Sequence, residues 1–225
     1  MIEATLFDLD GTLIDTAPDM GGALNNLLIE ENYPPLPIED IRPYVSRGGL
    51  VLTQLGFADK VAESEIEPLR LRFLDHYRAI VADNSRLFEG LDSVLNEIEQ
   101  RRMPWGIVTN KPEWLTFPLL EALELDRRAA VVIGGDTLAV RKPDPLPLTV
   151  AAERIGVACE NCIYVGDDER DIVAGRAAGM KTLVAAYGYI EPDIDTDAWA
   201  ADGTIDSPTE LLSHPLMQAH DNDSV

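Results

Sequence analysis

Outside one block of the chain, short apolar runs alternate with segments of helical periodicity, and this alternation restricts the possible folds strongly. Six runs are predicted as strands: residues 2–8, 104–109, 130–133, 162–166, 181–185 and 203–205. Four segments between them have a helical spacing of apolar residues: 91–102, 113–123, 145–155 and 169–178. Strands that alternate with helices form parallel sheets covered on both faces. We therefore predict an α/β fold with a Rossmann-like parallel sheet.

Residues 16–84 interrupt this alternation, because they show helical patterns alone. Four helices are predicted there: residues 19–31, 38–44, 49–55 and 65–81. A helical block between the first and second strands is most simply explained as a second, inserted domain. The predicted division is an α/β core of residues 1–15 and 85–212, an α-helical inserted domain of residues 16–84, and a flexible tail of residues 213–225, which is polar and aperiodic.

The composition limits the class of protein and its partners. With 46% hydrophobic and 26% charged residues, it is typical of a globular protein in solution. No apolar run approaches the roughly 20 residues of a membrane-spanning helix, and no signal-peptide pattern is present. The net charge of −22 argues against nucleic acid and anionic membranes as partners. We expect a cytoplasmic monomer or homodimer that acts on a small molecule.

Polar side chains follow the predicted strands, at the edge where open parallel sheets bind their ligands. The first strand leads into Asp8 and Asp10. The second is followed by Thr109, Asn110 and Lys111. Taken singly, such residues are also ordinary turn and helix-capping residues. Their common position at one sheet edge favours a binding site.

The third and fourth strands add residues of both charges to this edge. A basic loop with Lys142 follows the third strand, and the fourth leads to Asp167, Asp168 and Asp171. Carboxylates that converge without a counter-charge repel each other, so a cation is implied. Because the candidate ligands are oxygen atoms, a hard ion such as Mg²⁺ fits best.

These motifs, taken in order, resemble those of the haloacid dehalogenase superfamily. They are D-x-D-G-T at residues 8–12, T-N at 109–110, Lys142, and G-D-D-x-x-D at 166–171. The resemblance covers nearly the whole chain. Residues 16–84 lie where this superfamily inserts an α-helical cap. Because both the second aspartate of the first motif and the first aspartate of the last are present, the resemblance implies hydrolysis of a phosphate monoester.

The resemblance implies catalytic and metal-binding roles. Asp8 would attack phosphorus and form an aspartyl-phosphate, while Asp10 would protonate the leaving alcohol and later activate water. Mg²⁺ would be bound by the Asp8 carboxylate, the Asp10 carbonyl oxygen and Asp167. Asp168 and Asp171 would hold metal-bound waters or orient Lys142. Thr12 could help to fix the second aspartate of the first motif.

The resemblance also implies contacts to the substrate. Thr109, the backbone of Asn110, and Lys142 would bind the phosphoryl oxygens, over which charge is spread in the transition state. The stretch YVSRGGL (residues 44–50) resembles the specificity loop of capped phosphatases, in which Arg47 would reach an anionic or hydroxylated leaving group. Lys111 is similarly placed near the mouth of the site. The alternative interpretation of Arg47 is a solvated arginine in a glycine-rich turn.

Two branches of the superfamily share several segments with this chain. These are the phosphoglycolate phosphatases and the N-acetylmuramic acid 6-phosphate phosphatases of peptidoglycan recycling. Residues 185–192 and 197–212 resemble the second branch more, so the interpretation leans to the amino-sugar phosphate, with phosphoglycolate as the alternative. A sugar-phosphate mutase of the same superfamily and a non-catalytic phosphate-binding protein are further alternatives.

Overall fold

A six-stranded parallel sheet forms the centre of the computed structural model, which describes residues 1–218. The strands, in chain order, are β1 Ala4–Phe7, β2 Ile14–Asp15, β3 Arg86–Leu87, β4 Trp105–Val108, β5 Val131–Ile133, β6 Cys162–Gly166, β7 Lys181–Ala185 and β8 Gly203–Ile205. The order in the sheet is β5-β4-β1-β6-β7-β8. All six predicted strands are present, and the predicted α/β class is confirmed.

The helices, in chain order, are α1 Ala17–Glu30, α2 Ile38–Ile41, α3 Gly49–Phe57, α4 Glu63–Ala79, α5 Leu91–Gln100, α6 Glu113–Ala122, α7 Leu146–Ile155, α8 Glu169–Ala177, α9 Glu210–Ser213 and α10 Pro215–Gln218. Helices α5 and α6 pack on one face of the sheet, and α7 and α8 pack on the other. Helices α5 to α8 match the four helices predicted between strands. None of the helices in the described part of the chain has the length and apolarity needed to cross a membrane.

The sheet is buried on both faces because side chains alternate along each strand. On β1, Phe7 packs in one hydrophobic cluster with Trp105 and with Leu95 of α5. Leu6 packs in a second cluster, on the opposite face, with Tyr164 and with Ala151 of α7. Strands covered in this way are nearly continuous apolar runs, which is the pattern that the sequence shows.

Residues 16–84, called the helical segment below, contain α1 to α4 and have a hydrophobic cluster of their own. Leu24 of α1 and Phe73 of α4 are among its fully buried members. Two further buried members, Leu115 and Tyr189, come from the rest of the chain. The helical segment therefore has a hydrophobic core of its own, to which the rest of the chain contributes a few side chains.

The helix predicted over residues 38–44 is shorter in the structure. Helix α2 covers Ile38–Ile41, and a 3₁₀ helix, Arg42–Arg47, continues the chain. Pro43 explains the change, since proline lacks an N–H and disfavours the α conformation of the preceding residue.

Two further features depart from the sequence prediction. Strands β2 and β3 pair antiparallel where the helical segment leaves the core and returns to it, and two residues are too few for a periodic pattern. Within the predicted tail of residues 213–225, Pro215–Gln218 form a helical turn, and Met217 is buried in the hydrophobic cluster that contains Phe7 and Leu95. The apolar pair Leu216-Met217 explains this packing. Residues 219–225 lie outside the described residues.

Candidate active site

The carboxyl end of the central strand forms the floor of a large cavity. Asp8 follows β1, with Thr109 after β4 on one side and Asp167 after β6 on the other. The cavity has a volume of about 910 Å³ and lies between this sheet edge and the helical segment. All of the site residues predicted from the sequence line it, apart from the buried Asp171. The parallel order of the strands explains this convergence.

Lys142 connects two of the carboxylates at the floor. Its Nζ lies 2.9 Å from Asp8 Oδ1 and 2.7 Å from Asp171 Oδ1. It also donates to the Tyr164 hydroxyl at 2.7 Å, which in turn donates to the carbonyl of Val108. Burial alone would lower the pKa of Lys142, but Asp171 and Asp8 raise it. The lysine is therefore a fixed positive charge beside Asp8.

Three buried carboxylates lie close together at the floor, and two of them contact this ammonium group. Asp8, Asp167 and Asp171 each offer an oxygen, and these oxygens lie within 4.8 Å of one another. Burial, together with Asp8 and Asp171, raises the pKa of Asp167 well above its usual range. Burial and Asp8 raise the pKa of Asp171 to about 7, although Lys142 opposes the shift. The cluster is short of positive charge, which a divalent cation would supply.

A serine of the helical segment lies between two of the predicted metal ligands. The Ser46 hydroxyl lies 3.0 Å from the carbonyl oxygen of Asp10 and 2.8 Å from Asp167 Oδ2. The two oxygens therefore face a common position. Carboxylate and carbonyl oxygens are the ligands that Mg²⁺ prefers, so the residues fit this ion. Sequence reasoning missed Ser46, although it belongs to the V-S-R stretch in which Arg47 was singled out.

Asp10 is held by two groups. Thr16 Oγ1 donates to Asp10 Oδ1 at 2.6 Å, and Lys111 Nζ lies 3.0 Å from the same oxygen. The expectation that Thr12 fixes Asp10 is wrong, because its hydroxyl donates to Asp167 Oδ1. The chain turns after Asp10, so that Thr12 points towards β6 while Thr16, at the start of α1, returns to the carboxylate. Lys111 is buried rather than exposed at the mouth.

Thr109 and Asn110 lie at the floor of the cavity beside Asp8. Thr109 Oγ1 accepts a hydrogen bond from the backbone N–H of Lys111 at 3.1 Å, so its own proton can be donated into the cavity. The Asn110 side chain donates to the carbonyl oxygen of Lys142 at 2.9 Å. That bond ties the loop after β4 to the loop that carries the lysine.

The two predicted supporting aspartates have different partners. Asp171 binds Lys142, in agreement with one of the two roles expected for it. Asp168 accepts hydrogen bonds from the backbone N–H and the guanidinium of Arg170, at 3.0 and 2.7 Å. Burial would raise the pKa of Asp168, but Arg170 lowers it. Of the two roles expected for Asp168, the structure does not show orientation of Lys142, because the Asp168 side chain folds back to cap α8. The holding of a metal-bound water stays a prediction.

Arg47 reaches the cavity wall, as expected for its loop, and about half of its side chain is exposed. Its Nη2 lies 2.6 Å from Glu191 Oε1, in the segment that follows β7. Sequence reasoning did not predict this partner. The tyrosine-rich stretch that contains Glu191 had been noted for its resemblance to a branch of the superfamily, but its charged residue had not been singled out.

Comparisons with known proteins agree with this geometry. Residues 5–185 match the family described as haloacid dehalogenase-like hydrolase. A phosphoglycolate phosphatase of Xanthomonas campestris is 48% identical over 210 residues, which cover 92% of this chain and 94% of that protein. An N-acetylmuramic acid 6-phosphate phosphatase of Pseudomonas aeruginosa is 38% identical over 211 residues, which cover 94% and 93% of the two chains.

Solved structures show the same fold. A protein of Haemophilus somnus described as a "predicted phosphoglycolate phosphatase" superposes with a TM-score of 0.83 at 27% sequence identity, over 94% of this chain and 97% of that one. The family match extends over most of the chain and includes every motif at the floor of the cavity. The chain therefore belongs to the haloacid dehalogenase-like hydrolase family and is one of its phosphatases.

Proposed function

We propose that this phosphatase is Mg²⁺-dependent and transfers the phosphoryl group of its substrate to Asp8. The observation that carries the proposal is the position of Lys142, whose Nζ lies 2.9 Å from Asp8 Oδ1 at the floor of the cavity. An ionised carboxylate needs no general base to act as a nucleophile. The ammonium group and the phosphoryl-binding candidate Thr109 lie where negative charge develops on the transferred group.

The reaction would proceed in two steps. In the first, an Asp8 oxygen bonds to phosphorus while the bond from phosphorus to the leaving oxygen breaks, and the Asp10 carboxyl gives its proton to that oxygen. Lys111 stabilises the carboxylate that results, since its Nζ lies 3.0 Å from Asp10 Oδ1. In the second step, Asp10 takes a proton from a water that attacks phosphorus, which releases phosphate and restores Asp8.

The residues that would hold Mg²⁺ are Asp8, the carbonyl oxygen of Asp10, and Asp167. When bound, the ion would supply the positive charge that offsets repulsion among these carboxylates and the phosphate. The buried carboxylate cluster and the Ser46 hydroxyl between Asp10 and Asp167 support this assignment.

We further propose that the helical segment is the cap of this enzyme and selects the leaving group. Its residues Arg47 and Tyr77 line the cavity opposite the floor. Separate hydrophobic clusters in the helical segment and in the core support a division into domains near residues 16–84. A cap of this kind excludes water from the reacting groups.

Phosphoglycolate is the first substrate that we propose. The relatives named phosphoglycolate phosphatase in Xanthomonas and Xylella are 45–48% identical to this chain. Those named N-acetylmuramic acid 6-phosphate phosphatase are 38–40% identical. The identities therefore favour phosphoglycolate over the amino-sugar phosphate towards which the sequence segments lean. Arg47 at the cavity wall offers a guanidinium to the carboxylate of such a substrate.

One observation keeps N-acetylmuramic acid 6-phosphate as the second candidate. The cavity of about 910 Å³ is much larger than phosphoglycolate requires, and a sugar phosphate would fill more of it. Both candidates are phosphate monoesters that carry a carboxylate. The two differ in size, so a substrate series can separate them.

The test is a phosphate-release assay with Mg²⁺ on phosphoglycolate, N-acetylmuramic acid 6-phosphate and N-acetylglucosamine 6-phosphate. The third compound is a control that resembles the second but has no carboxylate. We expect kcat/KM for phosphoglycolate to exceed the other values by about tenfold or more, which corresponds to ~1.4 kcal/mol of transition-state binding. A preference for the muramic acid ester would assign the second candidate, and equal rates with the control would contradict recognition of a carboxylate.

The variant Asp8→Asn tests the covalent step. It removes the nucleophile but keeps the size of the side chain, so we expect kcat to fall by at least about a thousandfold. The control is Asp92→Asn, on the exposed face of α5, where the aspartate pairs with Arg128. Metal-dependent turnover that persists in Asp8→Asn would contradict the mechanism.

A further inference from the structure

Residues 44–50, called the 44–50 loop below, comprise the end of the 3₁₀ helix, Gly48 and the start of α3, and they are attached to the core by residues outside the catalytic pair. Arg170 Nη2 of α8 donates to the carbonyl oxygen of Ser46 at 2.8 Å. Glu191 pairs with Arg47, the next residue. The Ser46 hydroxyl also lies 2.8 Å from Asp167 Oδ2. Core groups therefore contact this short piece of the helical segment from several directions.

Arg170 is the central group in this arrangement. The same Nη2 that donates to Ser46 also lies 2.7 Å from Asp168 Oδ2, and Asp168 caps the helix on which Arg170 stands. The guanidinium is therefore oriented by its own helix terminus, with a quarter of its side chain exposed. Charge-assisted hydrogen bonds of this kind are stronger than neutral ones. Arg170 is thus a rigid donor aimed at the loop.

Two neighbouring side chains of this loop face different parts of the site. The Ser46 side chain faces Asp10 and Asp167, the proposed metal ligands, and Arg47 faces the cavity in which the leaving group would lie. A shift of the Ser46 carbonyl would move both side chains together. Positioning errors of about 1 Å are costly in catalysis, even when they arise away from the reacting atoms.

We propose that Arg170 is a positioning residue that holds the 44–50 loop closed on the core, so that Ser46 and Arg47 keep their places above the catalytic aspartates. Arg170 acts through the Ser46 carbonyl and is not itself a catalytic residue. The proposal rests on the proposed function of these aspartates and adds a residue to it, but it does not depend on which phosphate ester the enzyme hydrolyses. It also gives Asp168 a role, as the anchor of Arg170.

The first experiment measures hydrogen exchange of backbone amides in the wild-type chain and in Arg170→Gln. Glutamine is too short to reach Ser46 from α8 while keeping the bond to Asp168. We expect the amides of residues 44–50 to exchange about tenfold faster in the variant, while those of β1 and β6 are unchanged. The matched control is Arg176→Gln, in the same helix, whose side chain contacts the Trp199 carbonyl instead. Unchanged loop exchange in a folded Arg170→Gln protein would overturn the proposal.

A second variant keeps the test decisive if Arg170→Gln fails to fold. Asp168→Asn retains a good N-cap for α8 but removes the charge that orients Arg170. We expect loop exchange that is faster than in the wild type. Exchange equal to the wild type would contradict the anchoring of Arg170 by Asp168, and with it the claim that the loop depends on a guanidinium oriented by that charge.

Kinetics provide a readout that a merely structural role would not change. We expect Arg170→Gln to raise KM for the preferred phosphate ester by about tenfold and to change kcat less, with partial rescue in Arg170→Lys, which retains a charged donor. Equal KM values for Arg170→Gln and Arg176→Gln would argue against the proposal. The exchange experiment needs no substrate, so failure of the substrate assignment and failure of this proposal can be distinguished.

Discussion

Asp8 and Asp10 stand two residues apart, yet different groups hold them. Lys142 Nζ contacts Asp8, whereas a hydroxyl and a second lysine, Thr16 and Lys111, contact Asp10. Burial alone would lower the pKa of Lys111, but Asp10 and Tyr77 raise it, so the ammonium form persists beside Asp10. In the proposed mechanism, the surroundings of Asp8 suit it to attack phosphorus, and those of Asp10 suit it to transfer a proton.

The hydroxyl of Thr16 is expected to orient Asp10 for proton transfer. Thr16→Val keeps the shape of the side chain but removes the 2.6 Å hydrogen bond to Asp10 Oδ1. The Asp10 carboxylate then keeps its contact with Lys111 but loses the hydroxyl that orients it. We therefore expect kcat to fall by about tenfold with little change in KM. Steady-state kinetics would measure this effect, and Thr16→Ser should restore most of the activity.

A buried threonine elsewhere in the helical segment serves as the control for this change. Thr53 is fully buried in α3 and bonds to the carbonyl oxygen of Gly49. Thr53→Val therefore removes a hydroxyl of similar burial far from the proton-transfer group. If Thr16→Val and Thr53→Val had equal kcat values, the positioning of Asp10 by Thr16 would be refuted.

At the scale of elements, one buried aspartate connects the two places where the chain passes between the core and the helical segment. Asp19, in the first turn of α1, accepts hydrogen bonds from the backbone N–H groups of Asn84 and Ser85. It also accepts from the side chains of both residues. The departing helix α1 is thus tied to the returning chain just before β3.

Loss of this connection should destabilise the protein. Asp19→Ala leaves the buried N–H of Ser85 and its hydroxyl without their acceptor, and the backbone N–H of Asn84 loses its partner as well. We expect the free energy of unfolding, measured with urea, to fall by about 3 kcal/mol. The control Asp92→Ala removes an exposed ion pair with Arg128 and should cost less than about 0.5 kcal/mol. Equal losses in the two variants would contradict the structural role of Asp19.

At the scale of the whole molecule, an acidic chain also buries three carboxylates together in its active site. The chain carries a net charge of −22, and the carboxylates of Asp8, Asp167 and Asp171 are buried together beside one lysine. Burial and mutual repulsion raise the pKa of Asp167 and Asp171. A divalent cation bound there should therefore stabilise the whole fold as well as support the reaction.

Mg²⁺ is accordingly expected to raise the melting temperature. At a concentration about 100 times its Kd, a ligand of the folded state stabilises by ~2.7 kcal/mol, which is about 5–10 °C for a chain of this size. Thermal unfolding with Mg²⁺, compared with EDTA at matched ionic strength, would measure the shift. EDTA should also abolish phosphate release.

The variant Asp167→Asn separates specific binding from a general effect of salt. It removes one proposed ligand at the cluster while leaving the surface charge nearly unchanged. We expect the Mg²⁺-dependent rise in melting temperature to disappear in this variant. The same rise in both proteins would place the cation elsewhere on the acidic surface and would contradict the proposed site.

The motifs could be located from the sequence because their positions follow from local patterns. Apolar runs of strand length end at Asp8, Thr109 and Asp167, and the carboxyl ends of parallel strands meet at one edge. The contacts among the motif residues were harder to predict. Thr12 was expected to fix Asp10, but Thr16 donates to that carboxylate instead. Asp168 caps its own helix, although orientation of Lys142 was one of its two expected roles. The direction of a side chain after a turn depends on the conformation of the turn itself.

The sequence by itself determined the sheet, the helical insertion and the family, since each depends on periodicity or on ordered motifs along the chain. The tertiary structure alone decided which side chains meet across the cavity. Ser46 and Arg170 are 124 positions apart, and their hydrogen bond exists because the helical segment packs against the core near α8. Local patterns encode how a segment folds, whereas such a contact depends on the relative placement of segments that carry no common pattern.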